Sequence, residues 1–140
     1  MTSRTSCSSE RVSNTIRRVD HSDLTIGEKL LLSRRRLGES QRVAAGKLGV
    51  SLYRYRGVEV GRPPKELDVT PRREKALSAR LDIDEVAPHE ECFILRVRAR
   101  LSVRRTAELM NVSQWWFIKM ERGREDASLL VSFWRRRRSA

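Results

Sequence analysis

The sequence QRVAAGKLGVSLYRYRGVEVG, residues 41–61, has a pattern that returns 62 positions later as VRRTAELMNVSQWWFIKMERG, residues 103–123. Each stretch opens with a short helical run and reaches a residue suited to left-handed backbone, Gly49 or Asn111. A serine, Ser51 or Ser113, then stands where a second helix needs its N-terminal cap. Each stretch therefore predicts a helix, a tight turn and a second helix.

The repeat extends to residues 30–61 and 92–123, which align without a gap and are identical at nine of 32 positions. Three of the nine are arginines, which a chain with 30 basic residues makes expected by chance. Five of the other six have predicted structural roles in helix crossing, inward packing, capping or helix termination. They are Ala45/Ala107, Val50/Val112, Ser51/Ser113, Glu59/Glu121 and Gly61/Gly123. The predicted inward positions of the second helix are Tyr55/Phe117 and Val58/Met120.

The charge distribution points to a polyanionic partner. The chain carries 30 basic and 18 acidic residues, for a net charge of +12. Residues 24–64 have a net charge of +6 and residues 88–123 of +3, whereas residues 65–87 have −1. Because the basic excess belongs to the repeats and not to the connector, nucleic acid is the first expected partner and an acidic membrane surface the second.

The sequence predicts an all-α fold of two small helix-turn-helix bundles joined by a short helical linker. The predicted segments are a disordered or weakly helical arm at 1–22, a first domain at 23–64, a linker with one helix at 65–87, a second domain at 88–134 and a basic tail at 135–140. The linker helix, over 74–81, either completes the first domain or bridges the two. Helical spacing predicts that Leu37, Val97 and Leu129 face inward and that Arg34 faces solvent.

Residues 26–61 resemble the Cro/lambda-repressor-like family of helix-turn-helix regulators in the Gln41-Arg-Val-Ala-Ala-Gly-Lys-Leu-Gly-Val-Ser51 run and the Glu59-Val-Gly61 ending, and residues 95–123 are similar to the same family. The resemblance covers about two thirds of the chain. It implies that Gln41 grips a phosphate and that the aligned Val103 does not. It further implies that base edges or nearby phosphates are met by Ser51, Leu52, Tyr53 and Arg56 in the first repeat and by Ser113, Gln114, Trp115, Ile118 and Lys119 in the second.

Basic side chains surround both of these second helices. They are Arg42, Arg54, Arg56 and Arg62 in the first repeat and Arg104, Arg105, Lys119, Arg122 and Arg124 in the second. If about eight of them contact phosphates, log K falls with log[salt] with a slope of roughly −7. Arg54 or Arg56 is suited to a guanine, and Gln114 to an adenine. Leu52 or Trp115 is suited to the methyl group of thymine.

These observations predict a sequence-specific regulator of transcription that binds double-stranded DNA in the cytoplasm of a bacterial or phage-infected cell. We expect repression, because the sequence offers no sizeable ligand-binding or catalytic domain. The small size, the basicity and the two linked units are similar to those of immunity repressors of temperate phages. Because the two DNA-reading helices differ, we expect a monomer on an asymmetric site, or a weak dimer.

Two other classes of protein remain open. Trp115 and Trp116 are unusually apolar for a DNA-reading helix, so the second unit alternatively docks RNA polymerase or another protein, as in an antitoxin-like or polymerase-binding factor. The other alternative is an architectural protein that coats DNA without sequence preference.

The sequence also argues against several further classes of protein. The sequence shows no nucleophile–base pair, no phosphate-binding glycine loop, no metal site and no cofactor motif, so no enzyme is expected. Cys7 and Cys92 are too few and too far apart for a disulfide framework or a zinc site. No apolar run is long enough to span a bilayer, and the N-terminus lacks the apolar stretch of a signal peptide.

Overall fold

The computed structural model describes residues 23–139, and every regular element in that part of the chain is a helix. The α-helices are α1 (Ile26–Leu37), α2 (Gln41–Leu48), α3 (Leu52–Glu59), α4 (Glu74–Leu81), α5 (Pro88–Arg98), α6 (Val103–Met110), α7 (Gln114–Glu121) and α8 (Ser128–Ser139), with short 3-10 helices at Pro64–Leu67 and Pro71–Arg73. The predicted all-α fold is confirmed. The arm predicted at 1–22 lies outside the described residues. Across 23–139, no helix combines the length and apolar character needed to cross a membrane.

The first of two compact units covers residues 23–85 within the described chain. In it α2 contacts α3, and α1 contacts both α3 and α4. Gly27 lets α1 approach α3 closely, because a Cβ atom there would lie 2.3 Å from the carbonyl oxygen of Val58. The core that these helices enclose consists of Leu30, Ala44, Ala45, Leu48, Tyr55, Val58 and Leu67.

The segment predicted as a linker is part of this first unit. Leu67 is buried in the core, and Leu77 and Leu81 of α4 pack against it. The guanidinium of Arg80 pairs with Glu39 at 2.8 Å, and hydrogen bonding from Arg80 holds the pKa of that carboxyl below its usual range. Of the two alternatives for the helix over 74–81, the contacts support the first: α4 completes the first unit, because Leu77 and Leu81 pack against the core of that unit.

The second compact unit covers residues 86–139 within the described chain. Helix α5 contacts α7 and α8, and α6 contacts α7. The core consists of Cys92, Ala107, Phe117, Met120, Leu130, Phe133 and Trp134. Burial raises the pKa of the Cys92 thiol to about 12, so the thiol is protonated at neutral pH.

Helix α8 corrects two expectations. It continues to Ser139, so the residues predicted as a basic tail extend the helix for most of their length. Leu129 is exposed, whereas Leu130 and Trp134 are buried. Consecutive helical residues point about 100° apart, so only one of the two neighbouring leucines can face α5.

Two inward assignments on other helices are also wrong. Leu37 is 61% exposed, because it lies in the last turn of α1, directly before the terminating Gly38. Val97, near the end of α5, is exposed as well. The opposite error concerns Arg34, which was expected in solvent and instead belongs to a largely buried ion pair.

Left-handed backbone occurs at the same aligned positions in the two units. The pairs are Gly38/Arg100 with φ of 69° and 58°, Gly49/Asn111 with 69° and 60°, and Gly61/Gly123 with 121° and 77°. The predicted left-handed turns at Gly49 and Asn111 are confirmed. Arg100 carries a side chain in a conformation that costs an L-residue about 1–2 kcal/mol, yet it keeps the backbone path that Gly38 follows in the first unit.

Candidate nucleic-acid interface

Serine side chains hold the N-terminal ends of α3 and α7. The hydroxyl of Ser51 accepts a hydrogen bond from the backbone N–H of Arg54 at 3.1 Å, and Ser113 accepts one from Trp116 at 3.1 Å. Both caps agree with the sequence prediction. The remaining N–H groups of the first turn and the helix dipole give this end a partial positive charge, which favours an anionic group such as a phosphate.

An arginine–glutamate pair that the sequence analysis missed holds the other end of each helix. In the first unit, the Arg34 guanidinium donates to both carboxylate oxygens of Glu59, at 2.9 and 3.1 Å. In the second unit, Arg96 donates to Glu121 at 2.7 and 3.0 Å. Both carboxylates are nearly fully buried. Each pair therefore ties the first helix of its unit to the C-terminal end of α3 or α7.

The same two arginines also fix the chain just before α2 and α6. Arg34 donates to the carbonyl of Glu39 at 3.2 Å, and Arg96 donates to the carbonyl of Leu101 at 2.9 Å. Burial is the largest single influence on the Arg34 guanidinium and lowers its pKa, but the hydrogen bond to Glu59, the charge of Glu59 and smaller contributions from Tyr55 together outweigh burial and raise the pKa. A signal for this pair was present in the sequence, since both arginines stand 25 residues before a glutamate that is also repeated.

Gln41 connects the buried ion pair to the outer surface of α3. Its amide nitrogen donates to Glu59 at 2.9 Å, and its amide oxygen accepts a hydrogen bond from Arg56 Nε at 3.0 Å. The amide thereby holds the exposed Arg56 guanidinium in one orientation. Val103 and Ile118 occupy the aligned positions of the second repeat, so the same connection cannot form there.

The outer surface of the α2–α3 pair is basic. Its exposed cations include Arg42, Arg54, Arg56 and Arg62, and Leu52 beside them is half-buried. Arg54 donates to the carbonyl of Glu66 at 2.9 Å. Tyr53 is exposed, and the guanidinium carbon of Arg62 lies 4.8 Å from the centre of its ring. An aromatic ring covered by a cation therefore stands at the second position of α3.

Gly57 makes room for that cation. A Cβ atom at this position would lie 2.7 Å from Cδ and 3.1 Å from Nε of Arg62. Space for the Arg62 side chain is thus the structural reason for a glycine inside α3, where glycine costs about 1 kcal/mol relative to alanine. Lys119 occupies the aligned position of α7.

The outer surface of α7 is apolar where that of α3 is basic. Trp115 is 64% exposed, Ile118 41% and Trp116 37%. The ammonium of Lys119 lies 4.2 Å from the centre of the Trp115 ring. Neither tryptophan belongs to the buried core of the unit, whereas Phe117, on the inner side of the helix, is fully buried.

Cations lie on α6 and directly after α7. The exposed ones are Arg104, Arg105, Arg122 and Arg124. Arg104 and Arg105 each lie 3.6 Å from Glu108, and Lys119 lies 3.5 Å from Glu125. Ion pairs as exposed as those of α6 contribute little free energy, so these cations can exchange their partners for a stronger anion.

Every site residue predicted from the sequence lies on or beside the helix pair of its own repeat. All are exposed except Gln41, Leu52 and Lys119, which are partly buried. Their role in DNA binding stays a prediction.

Over residues 23–139, no group of three or more His, Cys, Asp or Glu side chains is arranged to hold a metal ion. Comparisons with protein-family models, with curated proteins and with solved structures find no match for this chain.

Proposed function

We propose that the protein is a sequence-specific regulator of transcription that binds double-stranded DNA through α3 and α7. One observation carries the proposal. In both units a serine-capped helix follows a left-handed turn, closes the core with its inner side and leaves cations or aromatic rings on its outer side. This duplicated arrangement is the one that the Cro/lambda-repressor-like resemblance implies.

Both the shape and the charge of the helix pairs support DNA binding. The major groove of DNA is about 12 Å wide and admits an α-helix. The N-terminal N–H groups of such a helix favour phosphates, and exposed arginines beside it can neutralise the backbone on either side. Arg54 and Arg56 are exposed on α3 and offer the donor geometry that guanine accepts.

Repression by steric occlusion is the mechanism that this proposal favours. The described residues form two compact helical units, and each unit consists of a hydrophobic core and the helix pair that packs on it. Binding of such a protein across a promoter blocks RNA polymerase without a further activity. Because α3 and α7 differ in sequence, one chain would read a non-palindromic site, and the covalent link would add avidity. The proposed setting is the cytoplasm of a bacterial or phage-infected cell, as for an immunity repressor.

The test is selection of bound sequences from a random duplex library at ~150 mM salt, where nonspecific phosphate binding is weak. We expect one asymmetric motif, bound by a single chain. The affinity should then fall steeply with salt, with a slope of log K against log[salt] of roughly −7 for about eight phosphate contacts. A palindromic motif bound by two chains would contradict recognition of the site by a single chain. Equal affinity for all sequences would support an architectural protein instead.

The exposed tryptophans favour a second candidate, an interaction protein of the antitoxin-like or polymerase-binding kind. Apolar aromatic residues are enriched in protein interfaces, and Trp115 and Trp116 lie together with a ring-to-ring distance of 6.1 Å. If this candidate holds, Trp115→Ala abolishes binding of RNA polymerase or another partner and leaves DNA affinity intact. Measurement of both affinities on the same variant separates the two functions.

A further inference from the structure

We infer that α7 recognises thymine through its 5-methyl group, with Trp115 and Ile118 as the residues that contact it. The inference rests on the proposed function and names the chemical group of DNA that the second unit recognises. It also assigns the two units different modes of base recognition, because α3 presents arginines at two of the aligned positions where α7 presents apolar side chains.

The geometry of α7 brings the two apolar side chains to one side. Trp115 and Ile118 are three residues apart, so they are neighbours on the helix surface. Both are exposed, and both lie in the part of the helix that follows the Ser113 cap. Their aligned partners in the first repeat, Tyr53 and Arg56, occupy the outer surface of α3.

The charge around these residues selects DNA as the occupant. In the major groove the methyl group of thymine is the apolar feature of the base edges, and phosphates line both rims of the groove. A surface that fits this pattern has an apolar centre with cations around it. Lys119 stands over the Trp115 ring, and exposed arginines lie on α6 and after α7. The unit meets both requirements.

Gln114 adds a polar group with a related preference. It is the first residue of α7 and is exposed. A glutamine amide pairs with N6 and N7 of adenine, the base opposite thymine. Together, the amide and the apolar pair predict that the part of the target site read by α7 is rich in A·T pairs.

The experiment replaces thymine by deoxyuridine, which lacks only the 5-methyl group. The probe is the duplex recovered from the selection described above, prepared with each thymine replaced in turn, and the full chain is used throughout. We expect the affinity of the wild-type protein to fall roughly fourfold for each methyl group that α7 contacts, which corresponds to burial of one methyl group. Replacement elsewhere in the site should change the affinity little.

Two variants assign the effect to residues. In Trp115→Ala or Ile118→Ala, the methyl contacted by the missing side chain should no longer matter, so thymine and deoxyuridine duplexes bind equally at that position. Both residues are exposed, so the variants keep the core intact. Leu129→Ala is the matched control, because Leu129 is an exposed apolar residue of the same unit on α8. It should retain the methyl dependence of the wild type.

The outcomes separate this inference from the proposed function. Equal wild-type affinity for all thymine and deoxyuridine duplexes overturns the inference alone, as does an unchanged methyl dependence in both α7 variants. Trp115→Ala with unaltered DNA affinity also overturns it and favours a protein partner on α7. Absence of any selected sequence overturns the proposed function and the inference together.

Discussion

In the first unit the outer side of the helix that follows the turn carries Tyr53, Arg54 and Arg56, and in the second unit the aligned side carries Trp115, Trp116 and Ile118. The inner sides of these two helices are alike, with a buried aromatic residue and a buried aliphatic or thioether residue in each. The caps at both ends and the left-handed turns are alike as well. The two units show that the outward-facing residues vary independently of the residues that hold the helix, which are alike in both.

The cation over the aromatic ring illustrates this independence. In the first unit it is Arg62, which follows α3 and lies across Gly57. In the second unit it is Lys119, one turn after Trp115 within α7 itself. The same local arrangement therefore arises from two different positions in the repeat, so an alignment of single columns does not detect it.

We expect the largest effect from removal of the buried ion pairs, which tests whether the pair stabilises both units equally. Arg34→Ala and Arg96→Ala should each lower the free energy of unfolding by about 3 kcal/mol, because each leaves a nearly buried carboxylate without its guanidinium. Urea denaturation measures the loss. Arg42→Ala is the control, since Arg42 is also identical in the two repeats but is exposed, and it should change stability by less than about 0.5 kcal/mol. A small effect of Arg96→Ala alone would show that the units are stabilised differently.

The next prediction concerns the side chain that Gln41 orients. Arg56→Ile gives the first repeat the residue found at Ile118 and should weaken binding of the selected duplex about tenfold, the size of one good base or phosphate contact. Arg72→Ala removes the same charge from an exposed position outside the helix pair and should have a much smaller effect. Fluorescence anisotropy at fixed salt compares the two. Equal losses would mean that α3 contributes only net charge.

A smaller effect is expected at Gly57. Gly57→Ala should raise the melting temperature, because alanine favours the helix by about 1 kcal/mol, less the cost of moving Arg62 away. Gly46→Ala in α2 is the matched control, since a Cβ atom there meets nothing within 4 Å and the full gain should appear. Thermal unfolding of both variants measures the difference. A lower melting temperature for Gly57→Ala would show that the Arg62–Tyr53 contact outweighs helix propensity.

The smallest effect is expected at the aligned left-handed positions. Arg100→Gly should stabilise the second unit by up to about 1 kcal/mol, because glycine adopts a φ of 58° without strain. Gly38→Ala should destabilise the first unit by a similar amount, although a Cβ atom there meets no other group. Urea denaturation measures the change in the free energy of unfolding. A gain for Arg100→Gly with a loss for Gly38→Ala supports the equivalence of the two turns, and a loss of stability in both variants would contradict it.

Local signals made most helix boundaries predictable. The Thr25–Glu28 capping box, the serine caps and the left-handed turn residues act within four residues of their own helix, so the sequence alone carries them. The buried ion pairs depend on residues 25 positions apart, and arginine identities between the repeats are also what the basic composition of the chain produces by chance. The place of α4 depends on which apolar surface it covers, a property of the assembled unit. Leu37 fits the helical period but lies beyond the edge of the core.

For the candidate site, the sequence indicated which residues stand on α3 and α7 but not how they are held. The contacts of Gln41 with Glu59 and Arg56 and the position of Arg62 over Tyr53 are set by side-chain geometry. Helical spacing is silent on such contacts, because they join elements and not neighbours along one helix.

The duplicated ion pair has a consequence for how such a surface can change over generations. Each of the two helices is held at its beginning by a serine, which accepts a hydrogen bond from a backbone N–H group, and at its end by a glutamate. Neither contact uses the side chains at the outward positions 52–54 and 56 or 114–116 and 118. Substitutions at those outward positions therefore leave the scaffold intact. A gene that encodes two such units can keep the outward residues of one unit unchanged while those of the other are substituted. For the same reason, directed evolution can vary the outward residues of α7 without loss of the fold.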